Sequence, residues 1–222
     1  MNILDLFFPK RCVSCKRVGS YICSDCFSKI EFVKHPICPV CQRQAVGGKT
    51  HPGCVGRYRL DGLVVACRYS GPVKMAIGKV KYKWIYDIGK VLCELIVKNL
   101  WRFDIETNLT LVPVPLHSKR KRSRGFNQAE ILAQDLAKRF GEKYEDLLVR
   151  NVETKSQVGL KRDARFENIK DAFSLKNSSD LRGKNFIIVD DVYTSGATIS
   201  ECAKVLKRAG AKSVWAMTVA LG

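Results

Sequence analysis

Long apolar runs are missing from this 222-residue chain. None approaches the roughly 18 residues that a membrane-spanning helix needs, so insertion into a membrane is not expected. The opening "MNILDLFFPKRC" has too short an apolar stretch and carries Asp5, which makes it a poor secretory signal and points to a cytoplasmic protein. Acids are also scarce. Only 21 Asp+Glu stand against 39 Lys+Arg, a formal charge of +18, with most of the excess in residues 1–60 and 111–166. That balance favours a polyanionic partner, either nucleic acid or a phosphorylated ligand, beside the plain reading of a soluble basic surface. The glycine-rich fingerprints GxxxxGK[ST] and GxGxxG are absent, which excludes a Walker A loop and the dinucleotide motif. There is no low-complexity tract, and nothing repeats except pairs of cysteines.

Cysteine is what the chain has in excess, with ten. Six form CxxC pairs, Cys12/Cys15, Cys23/Cys26 and Cys38/Cys41, and "HPGC" adds His51 and Cys54. A two-residue gap is what a tight knuckle needs to aim two ligands at one tetrahedral ion. Four knuckles make two sites, and thiolate with imidazole suits zinc. A disulfide framework is not expected in a chain read as cytoplasmic. Sequential pairing of the knuckles and a cross-braced alternation both remain open, with short ribbons favouring the first. Closed four-ligand sites are structural. A segment this poor in core-sized residues would draw most of its folding energy from metal, at about 10–16 kcal/mol per zinc in small peptides. Two ions on seven thiolates would also lower the net charge by about three. The isolated Cys67, Cys93 and Cys202 sit in apolar settings and read as core.

Beyond the knuckles the pattern alternates. "GLVVACRYS" (62–70), "LTLVPVP" (109–115), "NFIIVDD" (185–191) and "SVWAMTVA" (213–220) have strand composition. Residues 72–83, 85–101, 127–140 and 195–210 read as helices. In 85–101, Ile88, Val91, Leu92, Leu95, Ile96 and Leu100 share one face, and Asn127 is placed to cap the third helix. Strands apolar on both faces, alternating with helices, predict an α/β fold with a parallel sheet flanked by helices. The expected division is a zinc-binding module over 1–57 and an α/β domain over 58–222.

The stretch "IIVDDVYTSGAT" (187–198) carries the chemistry. Asp190 and Asp191 stand at the carboxyl end of a strand, where open α/β sheets bind ligands. The turn after them leads into a helix whose N–H groups favour an anion, with Thr194, Ser195 and Thr198 adding hydroxyls. Gly196 allows close backbone approach. One end of this site wants a phosphate, and the other offers carboxylates to neighbouring hydroxyls. A pentose 5-phosphate has that layout.

"VDDVYTSGAT" resembles the phosphoribosyl pyrophosphate (PRPP) motif of type I phosphoribosyltransferases. With "VPVPLH" (112–117), "RGFNQAEILA" (124–133), "KSQVGLKRDARFENIKDAF" (155–173) and the cysteine knuckles, the chain resembles the late-competence ComF family over nearly its whole length. His51 stands where that family more commonly has Cys. The resemblance implies a phosphoribosyltransferase-like fold with a double zinc ribbon. It gives Asp190 and Asp191 to the ribose hydroxyls as the catalytic pair. Val192 and Tyr193 then lead into a phosphate turn of Thr194, Ser195, Gly196, Ala197 and Thr198. Pro115, Leu116 and His117 fall where such enzymes place a pyrophosphate loop, with Mg²⁺ accompanying PRPP. It also implies a role in DNA uptake during natural transformation, with single-stranded DNA and a ComF-type helicase as partners. A working transferase with an unidentified acceptor is the alternative, although no residue set specifies a nucleobase and no N-terminal Cys nucleophile is present.

Five cations fall within the six positions 119–124. A solvated loop, a lid over pyrophosphate and a contact to a DNA backbone all fit this run. Arg124, just before Gly125 and a helix start, is assigned to the ligand site, and Lys119, Arg120, Lys121 and Arg122 to nucleic acid. Gln157, Arg162 and Arg165 are candidates to close over a ligand. Phe126 and Phe166 are expected to pack, and Tyr193 to be exposed enough to stack on a base.

Overall fold

The computed structural model describes residues 9–79, 85–152, 162–177 and 180–222. The opening residues 1–8, the end of the expected 72–83 helix and Gln157 lie outside them. Seven strands run through the described residues: β1 (Gly62–Arg68), β2 (Leu109–Pro113), β3 (Lys143–Tyr144), β4 (Leu148–Arg150), β5 (Phe173–Leu175), β6 (Asn185–Tyr193) and β7 (Ser213–Leu221). Five form a parallel sheet in the order β1-β7-β6-β2-β3. β4 and β5 pair antiparallel as a separate sheet. Besides a single helical turn at Ser24–Phe27, the α-helices are α1 (Gly71–Lys79), α2 (Ile85–Asn99), α3 (Ser118–Arg124), α4 (Gln128–Phe140), α5 (Arg162–Ile169) and α6 (Ala197–Arg208).

The α/β expectation holds because the strands are greasy on both sides. In β6, Ile187 and Val189 join a core with Leu111, Met217 and the helix residues Leu92, Leu95, Ile96, Leu132 and Leu136. The alternate residues Phe186 and Ile188 join a second core with Val112, Val214, Ile199, Cys202 and Leu206. Period-two alternation thus feeds two helical layers, and each fully buried Leu or Ile stabilises the fold by about 1.5–3 kcal/mol. Cys67, Cys93 and Cys202 are wholly buried.

Two connections leave neighbouring strands in opposite directions. β2 leads through α4 to the edge strand β3, whereas β6 leads through α6 to β7. The crevice at the carboxyl ends of β2 and β6 is therefore a topological switch point, the usual place for a ligand. Asn127 ties this crevice together. Its side chain accepts from the Ala129 N–H at 3.1 Å and donates to the Val114 carbonyl at 2.9 Å, capping α4 and fixing the end of β2. The basic run is a short helix, α3, stopped by Gly125 in the left-handed region at φ 79°.

The N-terminal ribbons repeat one knuckle twice. The Cys12 and Cys38 N–H groups donate to the Arg17 and Arg43 carbonyls at 2.8 and 2.9 Å. The Lys16 and Gln42 N–H groups donate back to Cys12 and Cys38 at 3.0 and 2.9 Å. Lys16 and Gln42 are left-handed, at φ 68° and 56°. The ribbons share the cores of the sheet through Val13, Tyr21 and Ile30 on one side and Val33 and Ile37 on the other. Phe32 and Lys49 bridge antiparallel to Cys67 and Gly62 of β1.

Candidate functional site

The eight predicted metal ligands gather into two clusters. The ligand atoms of Cys12, Cys15, Cys23 and Cys26 lie within 4.8 Å of one another, and so do those of Cys38, Cys41, His51 and Cys54. The pairing is sequential, and the cross-braced alternation does not form. The fit to zinc can be tested at His51. Its Nδ1 is 3.3 Å from Cys41 Sγ, while Nε2 lies 2.9 Å from the Gln44 carbonyl. An Nε2–H donated to that carbonyl leaves the Nδ1 lone pair facing the sulfurs, the arrangement that orients metal-binding histidines. Backbone and side-chain N–H groups of Arg43 pull the Cys41 thiol down to about 6. In the same cluster, burial together with the neighbouring Cys41 and Cys38 pushes the Cys54 thiol up. A sulfur cluster so divided is completed by a divalent ion, which deprotonates all its thiols. Four protein ligands per cluster leave no open position, so both centres are structural.

A cavity of about 570 Å³ opens at the carboxyl ends of β2 and β6. Asp190, Asp191, Val192, Tyr193, Thr194, Gly196, Ala197 and Thr198 line it from β6 and the start of α6, and Pro115 and Leu116 line it from the end of β2. Arg120 and Arg124, one turn apart on α3, complete a third side. Ser195 and His117 do not line it. Ser195 is buried and accepts from the Ala197 N–H at 3.4 Å, while His117 stands at the N-cap position of α3 without a side-chain capping bond. The N-cap of α6 is Gly196 rather than a hydroxyl residue, at φ 77°. The first-turn N–H groups of a helix lack intrahelical acceptors, so an anion in the turn would meet them.

The carboxylates are not equivalent. Burial, reinforced by the charge of Asp191, holds the Asp190 carboxyl well above its ordinary range. The Asp191 N–H, donated to Asp190 Oδ1 at 2.8 Å, and the nearby Arg150 oppose that shift. Arg150, at the end of β4, is buried in the cavity wall, and burial together with Arg120 pulls its own pKa down. Sequence reasoning missed Arg150. Its one signal is a cation closing the apolar run "LLVR". Tyr69, Ile77, Asn127 and Gln128 also line the cavity. Gln128 accepts from Arg124 at 3.0 Å and so steers that guanidinium.

The remaining basic residues of α3 do not line the cavity. Lys119, Lys121 and Arg122 are exposed, and Lys121 pairs with Glu130 at 3.0 Å. Only Arg120 of the quartet assigned to nucleic acid turns to the cavity. The aromatic expectations fail at two positions. Tyr193 is only 1% exposed, with its ring tucked under the turn, so it cannot stack on a base. Phe166 is 38% exposed rather than packed, and Phe126 is half-buried. The side chains of Arg162 and Arg165 lie outside the described residues, although their backbone belongs to α5.

Comparison with known proteins accounts for both parts of the chain. A model for a double zinc ribbon domain matches residues 3–55, and one for a phosphoribosyl transferase domain matches residues 127–222. Competence protein F of Haemophilus influenzae is 29% identical, over 94% of this chain and 95% of its own length. DNA utilization protein YhgH of Escherichia coli K12 is 32% identical, covering 87% of each. Competence protein ComFC of Bacillus subtilis is 30% identical over 89% of this chain and 83% of its own. Similarity of that extent, carried by proteins of one group along almost the full chain, shows that this protein belongs to the ComF family.

Proposed function

We propose that the chain binds PRPP in the cavity between β2 and β6 and acts in DNA uptake during natural transformation, contacting incoming single-stranded DNA beside a ComF-type helicase. The observation that carries this reading is one cavity lined by an acid pair, a hydroxyl-bearing helix N-terminus and two arginines. Asp190 and Asp191 would accept hydrogen bonds from the ribose hydroxyls. Residues 194–198 would hold the 5-phosphate, with Ser195 supporting the turn from below. Arg120 and Arg124 would face the pyrophosphate, near Pro115 and Leu116. Mg²⁺, when bound with PRPP, neutralises charge on the pyrophosphate. The exposed Lys119, Lys121 and Arg122 supply a phosphate-backbone contact, which is sequence-independent and salt-sensitive. The working division is a ribbon module over 1–57 and a ligand domain over 58–222.

Calorimetry with PRPP and Mg²⁺ tests the site. Binding is expected, and Asp190→Asn with Asp191→Asn should weaken it at least tenfold. Unchanged affinity in the double variant rejects the ribose role. The second reading is an active phosphoribosyltransferase. It is favoured by the extension of the cavity past the acid pair to Tyr69, Ile77 and Arg150, where an acceptor would sit. A pyrophosphate-release assay with and without single-stranded DNA separates turnover from binding.

A further inference from the structure

The phosphate turn rests on the second metal cluster as well as on the sheet. Tyr193, the last residue of β6, sends its hydroxyl under the turn to donate to the Pro39 carbonyl at 2.7 Å. Pro39 lies between Cys38 and Cys41. The next residue of the turn, Thr194, accepts on its carbonyl from Gln42 Nε2 at 3.0 Å. Gln42 directly follows Cys41. Its left-handed φ of 56° belongs to the knuckle, closed by its own N–H to the Cys38 carbonyl at 2.9 Å. Gly196 makes the arrangement possible, because a Cβ there would stand 2.2 Å from the Tyr193 hydroxyl. Tyr193 and the first residue of the turn, Thr194, are thus pinned to Pro39 and Gln42, in a knuckle whose path is set by ligand geometry. The first knuckle lies elsewhere, near α2, where the neighbouring Tyr21 hydroxyl donates to Asp87 at 3.3 Å.

We infer that the Cys38, Cys41, His51 and Cys54 cluster positions the phosphate turn, with Tyr193 and Gln42 as the positioning residues that carry the knuckle's shape to residues 194–198. An ion in this cluster fixes the knuckle. The knuckle holds the Pro39 carbonyl and the Gln42 amide in place, and these hold the turn in the form that meets a phosphate ester. Affinity for such a ligand therefore depends on the second cluster and not on the first. The ligand part rests on the PRPP reading above. The mechanical part does not.

The test uses the full metal-loaded chain and four variants: Gln42→Ala, Tyr193→Phe, His51→Ala and, for the first cluster, Cys15→Ser. Metal content, amide hydrogen exchange over 193–199 and affinity for PRPP with Mg²⁺ are measured on each. Gln42→Ala and Tyr193→Phe should keep their metal yet speed exchange in the turn and weaken PRPP about tenfold, equivalent to about 1.4 kcal/mol. His51→Ala should do the same with loss of one ion. Cys15→Ser should lose its ion and leave exchange in the turn unchanged. Wild-type exchange in His51→Ala after its ion is gone, or in both metal-retaining variants, overturns the inference. Should the wild type not bind PRPP, the ligand reading falls while the exchange measurements still decide the mechanical coupling.

Discussion

Asp190 is held by the fold in a state that disfavours its charge, and that has a consequence for stability. Burial first, and Asp191 second, raise its pKa well above the ordinary 3.8. The folded chain keeps a proton that the unfolded chain has already lost. Stability contributed here is therefore intact below about pH 4 and falls as pH climbs through the raised value. Asp190→Asn preserves the acceptor for the Asp191 N–H but cannot ionise. It should raise the ligand-free melting temperature at neutral pH by about 3–5 °C for every ~1.4 kcal/mol relieved, measured by calorimetry across pH. Wild-type stability without ligand should decline over the same interval, and the variant's should not. Because ribose hydroxyls need a carboxylate acceptor, PRPP binding should release a proton and tighten as pH rises. Titrations in buffers of different ionisation enthalpy read that proton. The acid pair was legible because two carboxylates at the end of an apolar strand are unusual. The depth of Asp190 and its proximity to Arg150 were not, since they arise from β4, forty residues earlier in the chain.

Among the elements, α3 resolves an ambiguity that composition left open. Five cations in six positions read equally as loop, lid or DNA contact, but a helix sorts them by face. Arg120 and Arg124 turn to the cavity, and Lys119, Lys121 and Arg122 turn to solvent. Arg120→Ala with Arg124→Ala should weaken PRPP while changing DNA affinity little. Lys119→Ala with Arg122→Ala should leave PRPP alone and lower the salt slope of single-stranded DNA binding by about 1.4. A binding titration series in salt checks both. The start of α6 is equally specific. Gly196→Ala would meet both a positive φ and the Tyr193 hydroxyl, and should cost about 1–3 kcal/mol in denaturant unfolding. The long helices were legible because each repeats its period several times, and the long strands because each is a continuous apolar run. β4 and β5, with three residues each, are too short to show one. Tyr193 was misread for a related reason. Its burial depends on Pro39, 154 residues away in sequence, and no local pattern encodes that partner.

At the scale of the whole molecule, the ribbons are built into the cores of the sheet through Val13, Tyr21, Ile30, Val33 and Ile37. Metal content should be two zinc ions per chain by elemental analysis, falling to one in His51→Ala. Chelation should lower the melting temperature of the entire chain rather than of its first quarter, because stripping the ligands uncovers part of those shared cores. Phe32 and Lys49 matter in another way. They occupy the outer side of β1, which otherwise ends the sheet. An uncovered marginal strand presents unpaired amides and carbonyls to any similar strand that passes. Demetallated chains should therefore join to one another, strand beside strand, and scatter light before they finish unfolding, which makes each zinc a guardian of solubility as well as of shape.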